Sequence, residues 1–123
     1  MSALEVVGVC LAGGLGACAR FWLDRATQRA LSPWRDPAAA RLGILVVNVV
    51  GCCGAGAATQ LPPAAAMPIV LTGLLGGFTT FSTALVDAVT LWVDGFRGRS
   101  LALALGTWAL SWGGALAGIA CAG

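Results

Sequence analysis

Three features of the amino-acid sequence predict an all-α integral membrane protein with four transmembrane helices. Of the 123 residues, 59% are hydrophobic and 10% are charged, whereas soluble domains usually carry about 25% charged residues. The uncharged segment from Leu42 to Val86 would extend about 68 Å as one helix at ~1.5 Å per residue, more than twice the ~30 Å hydrocarbon core of a bilayer. It must therefore fold back, and a proline-rich stretch within it supplies the turn.

Prolines and charges set the boundaries of the predicted spans. Pro62, Pro63 and Pro68 interrupt the long apolar segment, because each lacks an amide donor and disfavours helix at the residue before it. The first apolar stretch is predicted to be a span and not a signal peptide, since it is rich in glycine and has no basic N-terminal region. Residues 1–123 are thus predicted to form one transmembrane domain, with spans at about 4–23, 42–60, 68–93 and 101–122.

The basic residues predict the orientation of the chain. All seven are arginines, and in the four-span arrangement all of them lie on one side of the membrane. They are Arg20, Arg25, Arg29, Arg35, Arg41, Arg97 and Arg99. Short loops rich in arginine stay in the cytoplasm. The sequence therefore predicts a multi-pass protein of the cell's plasma (inner) membrane with both termini outside and one fixed orientation.

Polar residues inside the spans mark a predicted interruption of the third helix. Asn48 lies near the middle of span 2, and a buried asparagine in a membrane needs a partner. Span 3 contains "GGFTTFST", residues 76–83, in which two glycines precede four hydroxyls. Adjacent glycines weaken a helix, and backbone groups freed in a membrane must find partners in protein, water or an ion. The stretch predicts a helix break at mid-depth, which would present carbonyls to cations and a helix N-terminus to anions.

Two charged residues are predicted to lie within the membrane near its cytoplasmic side. In one interpretation Arg20 draws anions into an inner vestibule and Asp87 partly balances its charge. In the other, both side chains extend to the interface. Glycines and alanines at three- and four-residue spacing in spans 1, 2 and 4 predict close helix packing in a bundle or dimer.

Several functional classes are excluded or disfavoured by what the sequence contains. It has no histidine, and its five cysteines fall within predicted spans without the spacing of a metal site. It has no phosphate-binding loop and no serine, histidine and aspartate set. We therefore expect neither an enzyme nor a nucleic-acid-binding protein.

With these motifs in place, the sequence resembles the CrcB-type fluoride channels of the Fluc family over almost its whole length. The matching patterns are "GAxxRF/Y" in span 1, "GxLxVNxxG" in span 2 and "GxxGGxTTFST" in span 3, the last of which is long and specific. The residues that match are Gly16, Ala17, Arg20 and Phe21; Gly43, Leu45, Val47, Asn48 and Gly51; and Gly73, Gly76, Gly77, Thr79, Thr80, Phe81, Ser82 and Thr83.

The resemblance implies a dimer of two antiparallel subunits with two narrow pores, through which fluoride leaves the cell passively. It implies a Na⁺ ion at the dimer centre, held by the backbone carbonyls of Gly76 and Thr79. It also implies that Asn48 donates to fluoride and that Phe81 offers the positive edge of its ring. The remaining pore residues implied are Thr80, Ser82, Thr83 and Ser111, with Arg20 in the vestibule.

Four positions depart from the family pattern. Ala84 replaces a second pore phenylalanine, Thr107 replaces a pore tyrosine, Ile44 replaces a threonine, and Ala12 replaces a glycine. A homodimer would therefore have incomplete pores, and the arginine bias opposes insertion in both orientations. We expect a heterodimer with an oppositely oriented homologue in membrane lipid. A homodimer is the alternative assembly.

Three other functions remain to be weighed. A four-span proton-coupled exporter needs a carboxylate deep in span 1, and Glu5 lies at the very end of that span. A degenerate scaffold subunit would stabilise a conducting homologue without lining its path. A membrane enzyme has no obvious acid or base group here.

Overall fold

The third span of the chain is interrupted, and three continuous helices pack against it. The computed structural model describes residues 1–36, 38–62 and 66–123. Four helical segments are long and apolar enough to cross a membrane, and within the described residues no strand occurs. These segments are Ala3–Trp34, Ala39–Ala58, Ile69–Val93 and Arg97–Ala122. The predicted all-α, four-span fold is confirmed. Pro63, one of the three prolines used to predict the turn, lies outside the described residues.

The first helix, α1 (Ala3–Leu31), is longer than the predicted span at 4–23. The Ser2 hydroxyl accepts from the Glu5 amide, and the Glu5 carboxylate accepts from the Ser2 amide, a capping box that starts the helix. Its 29 residues extend about 43 Å at ~1.5 Å per residue. The helix continues past residue 23 because neither glycine nor proline follows until Pro33, where a short 3₁₀ turn (Ser32–Trp34) begins.

Helices α2 (Leu42–Ala58) and α5 (Arg97–Ala122) pack with their backbones in close approach. A Cβ on Gly56 would collide with the Ala115 carbonyl, and a Cβ on Gly118 would collide with the Cys53 carbonyl. Small residues allow this approach in lipid, where van der Waals packing holds helices together. α5 begins four residues before the predicted span at 101–122, because Arg97 and Arg99 are already helical.

The third span contains the predicted break, which is confirmed. It runs through a π-helical segment (Ile69–Leu75), the single turn α3 (Gly76–Phe78) and helix α4 (Phe81–Val93). Thr79 (φ −81°, ψ 155°) and Thr80 (φ −149°, ψ 122°) have extended backbones between α3 and α4. The break thus lies at two threonines and not at the glycines before them.

The expectation that the glycine pair itself permits the break is wrong. Gly76 has φ −64° and ψ −38°, which are ordinary helical values, and Gly77 belongs to the same helical turn. A Cβ on Gly77 would collide with the Gly13 carbonyl of α1, and a Cβ on Gly16 would collide with the Leu74 carbonyl. Gly77 therefore serves the packing of the third span against α1.

The charged end of the molecule is held by contacts between the loops. Gly95 adopts φ 91° at the turn between α4 and α5, a conformation that favours glycine. The buried Ser100 hydroxyl donates to the Ala88 carbonyl at 2.5 Å. Arg99 lies 3.2 Å from Asp36 in a half-exposed ion pair. The first two features hold the α4–α5 hairpin together, and the ion pair joins it to the loop that follows α1.

Candidate functional site

The break in the third span is closed by the side chain of Asn48 on α2. The Asn48 Nδ2 group donates to the Thr80 carbonyl at 2.8 Å, and the Thr80 amide donates to Asn48 Oδ1 at 2.8 Å. Asn48 is only 7% exposed. One turn further along the same face, Gly51 leaves room for Thr79, whose methyl group would collide with a Cβ there. The polar partner that the sequence required for Asn48 is therefore the extended backbone of the break.

A cavity of about 460 Å³ opens beside this pair. Its wall is mostly apolar, with polar atoms supplied by α2, by the break and by α5. The lining residues are Asn48, Cys52, Thr79, Thr80, Phe81, Ala84, Leu85, Ala104, Thr107, Trp108, Ser111, Trp112 and Ala115. Five residues singled out from the sequence thus meet at one cavity: Asn48, Thr79, Thr80, Phe81 and Ser111. We call it the first cavity.

The Ser111 hydroxyl is the unsatisfied polar group of the first cavity. Its Oγ atom is buried and has no hydrogen-bond partner among the described residues. A buried hydroxyl without a partner costs roughly 1–3 kcal/mol, so a polar ligand at this position would be stabilising. Thr107 lies one helical turn before it and lines the same wall.

The hydroxyls after the break bond to one another. Thr80 caps α4, since its Oγ1 accepts from the Thr83 amide at 3.4 Å. The same Oγ1 donates to Thr83 Oγ1 at 3.1 Å and lies 3.4 Å from Ser82 Oγ. Phe81 is 80% exposed in the single chain and lines the first cavity. Ser82 is exposed and lines neither cavity described here.

A second cavity of about 410 Å³ lies on the other side of Thr83. It is lined by Asp24, Gln28, Ala40, Arg41, Ile44, Thr83 and Asp87. Arg41 Nη1 donates to Asp87 Oδ1 at 2.9 Å, and Gln28 Nε2 donates to Asp24 Oδ2 at 2.9 Å. The polar groups here come from α1, from the start of α2 and from α4.

The interpretation in which Asp87 partly balances the charge of Arg20 is not accompanied by an ion pair between the two side chains. Asp87 pairs with Arg41, because the start of α2 brings that guanidinium next to α4. Arg20 is half-buried on α1 and lines neither the first nor the second cavity. Among the described residues no carboxylate lies within ion-pair distance of Arg20.

The break also changes the hydrogen bonding of the two carbonyls implied in sodium binding. In a continuous helix the Gly76 carbonyl would accept from the Thr80 amide, which instead donates to Asn48. The Thr79 carbonyl would likewise accept from the Thr83 amide, which instead donates to the Thr80 hydroxyl. Neither carbonyl receives its helical partner, so both oxygens are available to a hard cation, which prefers oxygen ligands.

Sequence reasoning missed the second cavity. Asp24 and Gln28 lie four residues apart on α1, and Thr83 and Asp87 lie four residues apart on α4. That spacing places each pair on one helical face. Asp24 and Gln28 lie among the arginines near the end of α1, whereas Thr83 and Asp87 lie in the first two turns of α4. The two polar pairs are the signal that could have indicated this site.

Comparison with known proteins agrees with these features. Residues 7–120 match the family model described as CrcB-like protein, Camphor Resistance (CrcB). The protein named fluoride-specific ion channel FluC in Ruegeria sp. (strain TM1040) is 38% identical to this chain over 101 residues. The match covers 79% of this chain and 77% of the relative. The protein of that name in Paracoccus denitrificans (strain Pd 1222) is 37% identical over 115 residues, covering 90% and 88%. In Cereibacter sphaeroides (strain ATCC 17029 / ATH 2.4.9) it is 37% identical over 119 residues, covering 94% and 92%. The chain therefore belongs to the CrcB-like family.

Proposed function

We propose that this chain is a subunit of a fluoride-selective ion channel that lets fluoride leave the cytoplasm passively and so lowers its toxicity. The observation that carries the proposal is the first cavity, where the Asn48 amide meets, at the break, the Ser111 hydroxyl, which has no partner in the described part of the chain. The names of the relatives, fluoride-specific ion channels, agree with it. An ion channel, and not an enzyme, is the class that the family supports.

Fluoride holds its hydration water strongly, so a pore must offer hydrogen-bond donors in its place. The Asn48 amide carries two N–H donors, and the Thr80 carbonyl occupies one of them. Ser111 adds an O–H donor, and the N-terminus of α4 adds its positive dipole end near Phe81. The Phe81 ring edge is positive and suits a small anion better than the ring face. Conduction needs such sites to bind the ion without holding it.

We propose that Na⁺ is a structural cofactor held by the carbonyls of Gly76 and Thr79. The loss of their helical partners at the break supports this assignment. When bound, Na⁺ would supply positive charge at the carbonyl end of α3. The chain's own part is to fix both carbonyls through the Asn48 and Thr80 hydrogen bonds.

The functional unit in this proposal is a dimer with an oppositely oriented homologous subunit, favoured as a heterodimer. A Cβ on Gly76 would meet only the Leu71 carbonyl, at 3.6 Å, so packing within the chain does not require glycine there. Phe81 is 80% exposed beside it. Both observations support a subunit contact at the break. The partner would supply the phenylalanine and tyrosine that Ala84 and Thr107 replace.

The proposal places the chain in the plasma (inner) membrane with both termini outside. The seven arginines on one side support this orientation. They also argue against a homodimer, which would need half of the chains inserted the other way.

Fluoride efflux from liposomes tests the proposal. We expect no fluoride efflux from liposomes that contain the purified chain alone. When a co-purified homologue is present, we expect fluoride-selective efflux, with chloride efflux as the control. Efflux from the chain alone would establish a homodimer instead. If the complex conducts and Ala84→Phe with Thr107→Tyr changes nothing, the scaffold alternative is favoured. If the complex does not conduct, the proposed function is wrong.

A further inference from the structure

A hydrogen bond between two hydroxyl groups joins a residue that lines the first cavity to one that lines the second. Thr80 lines the first cavity and Thr83 lines the second. Their hydroxyls are joined by a hydrogen bond of 3.1 Å. An ion that follows polar groups from the first cavity toward the arginine-rich end therefore reaches the second cavity next.

The charges that line the second cavity are unequal in number. Two carboxylates, those of Asp24 and Asp87, face one guanidinium, that of Arg41. Asp87 is the partner of Arg41 in the ion pair, with 17% of the aspartate side chain and 28% of the arginine side chain exposed. Asp24 Oδ1 is buried and has no hydrogen-bond partner among the described residues. Without Arg41 the cavity would hold two uncompensated negative charges and repel anions.

The Arg41 guanidinium has donors left for an ion. It carries five N–H groups, and among the described residues its side chain donates to one acceptor, Asp87 Oδ1, through Nη1. Asp87 thus positions the guanidinium at the cavity wall and leaves most of its donors available. The arrangement is that of a positively charged group held in place beside an ion path.

We propose that Arg41, positioned by Asp87, allows anions to pass through the second cavity. The second cavity is then the part of the conduction path at the arginine-rich end of the molecule. The proposal rests on the proposed function for the identity of the ion. Arg41 lowers the barrier for an anion, whereas Asp24 and Asp87 raise it. The balance of these three charges sets how fast the anion passes.

Two substitutions that break the same ion pair separate this role from a structural one. Arg41→Gln is expected to slow fluoride efflux of the complex by ~10-fold or more, because charges a few ångströms apart interact strongly in a partly buried site. Asp87→Asn is expected to maintain or raise efflux. The double variant Arg41→Gln with Asp87→Asn is expected to recover most of the loss, and Arg41→Lys to retain most of the rate. If the two single variants slow efflux equally, the pair is only structural and the proposal is wrong.

Arg99→Gln is the matched control. It removes an arginine from an ion pair of 3.2 Å with Asp36 at the same end of the molecule, but Arg99 lines neither cavity. Its efflux is expected to equal that of the unmodified complex. Higher ionic strength should narrow the difference between Arg41→Gln and the unmodified complex, because salt screens charges near solvent.

A second measurement does not depend on conduction. Ala40 is exposed and lines the second cavity beside Arg41. In an Ala40→Cys variant, the ratio of reaction rates with anionic and cationic methanethiosulfonate reagents, located by mass spectrometry, reports the local potential. Adding Arg41→Gln is expected to lower that ratio by ~10-fold. An unchanged ratio would overturn the inference even if fluoride efflux is normal. A changed ratio in a complex without efflux would support the role of Arg41 in the charge of the second cavity but would reject fluoride as the ion.

Discussion

At the scale of the residue, Asn48 contributes to structure and to the proposed ion site with one amide group. Its Oδ1 and one Nδ2 hydrogen satisfy the Thr80 amide and carbonyl at 2.8 Å each. The second Nδ2 hydrogen is the donor available to an ion. The two roles are separable because they use different atoms.

Asn48→Ala is expected to destabilise the fold and abolish efflux. It leaves two backbone groups of Thr80 without partners, at about 1–3 kcal/mol each. Asn48→Asp is the informative comparison, because its carboxylate still accepts from the Thr80 amide but can no longer donate. Thermal unfolding in detergent and fluoride efflux are the measurements. Equal unfolding temperatures for Asn48→Ala and the unmodified chain would contradict the role assigned to the two hydrogen bonds.

Ser111→Ala is expected to reduce efflux without reducing stability, unlike Asn48→Ala, which should reduce both. The Ser111 Oγ atom is buried and finds no partner within residues 1–36, 38–62 and 66–123, so its removal should leave the unfolding temperature unchanged or raise it slightly. Efflux of the complex should fall, since a donor to the ion is lost. A loss of stability together with unchanged efflux would show that Ser111 is a packing residue.

At the scale of the element, the glycines on the face of α5 that meets α2 hold these two helices at short distance. Gly118 faces the Cys53 carbonyl, and a Cβ there would collide with it. Gly113 on the same helix has nothing within 4 Å of the corresponding position. One helix thus offers a packed and an unpacked glycine for comparison.

Gly118→Ala is expected to lower stability by about 1–3 kcal/mol, the usual cost of overpacking. Gly113→Ala is the matched control and should be neutral or slightly stabilising in the isolated chain, because alanine favours helix over glycine. Unfolding of both variants in detergent tests the pair. The α2–α5 contact would have to be reassigned if the two variants unfold alike.

The elements of the fold were predictable to different degrees. Hydropathy and Pro62 placed the spans, because burial in lipid imposes both length and composition. The overrun of α1 to Leu31 was not predicted, since a polar helix end leaves no hydropathy signal. The break was located to within a few residues, but it lies at Thr79 and Thr80 and not at the two glycines before them. Gly77 instead packs against Gly13 of α1, and this contact depends on tertiary packing, which the local sequence does not report.

At the scale of the whole molecule, the distribution of arginines predicts how the chain is oriented in the membrane, with both termini outside the cytoplasm. A reporter enzyme active only outside the cytoplasm, fused after Gly123, should be active, and a reporter active only in the cytoplasm should not. The same reporters placed in the loop after Gly95 should give the reverse pattern. Equal signals from both reporters at one position would indicate dual insertion, and the heterodimer proposal would then lose its main support.

The part of the candidate site that lies in the matching sequence motifs was predictable. The part formed by charged residues far apart in the sequence was not. Asn48, Thr80, Phe81 and Ser111 came from the sequence and line one cavity. The pairing of Arg41 with Asp87 did not, because these residues are 46 positions apart and meet only when α2 packs beside α4.

The hydrogen bonds between Asn48 and Thr80 also bear on how the chain is inserted during synthesis. A third span that entered lipid alone with this break already formed would expose the Thr80 amide and carbonyl to hydrocarbon, at a cost of several kcal/mol for each group. The group that satisfies them lies on α2, which is synthesised earlier. The third span is therefore expected to leave the translocation machinery together with α2, as a helical hairpin, and the biogenesis of the membrane domain depends on a single asparagine side chain.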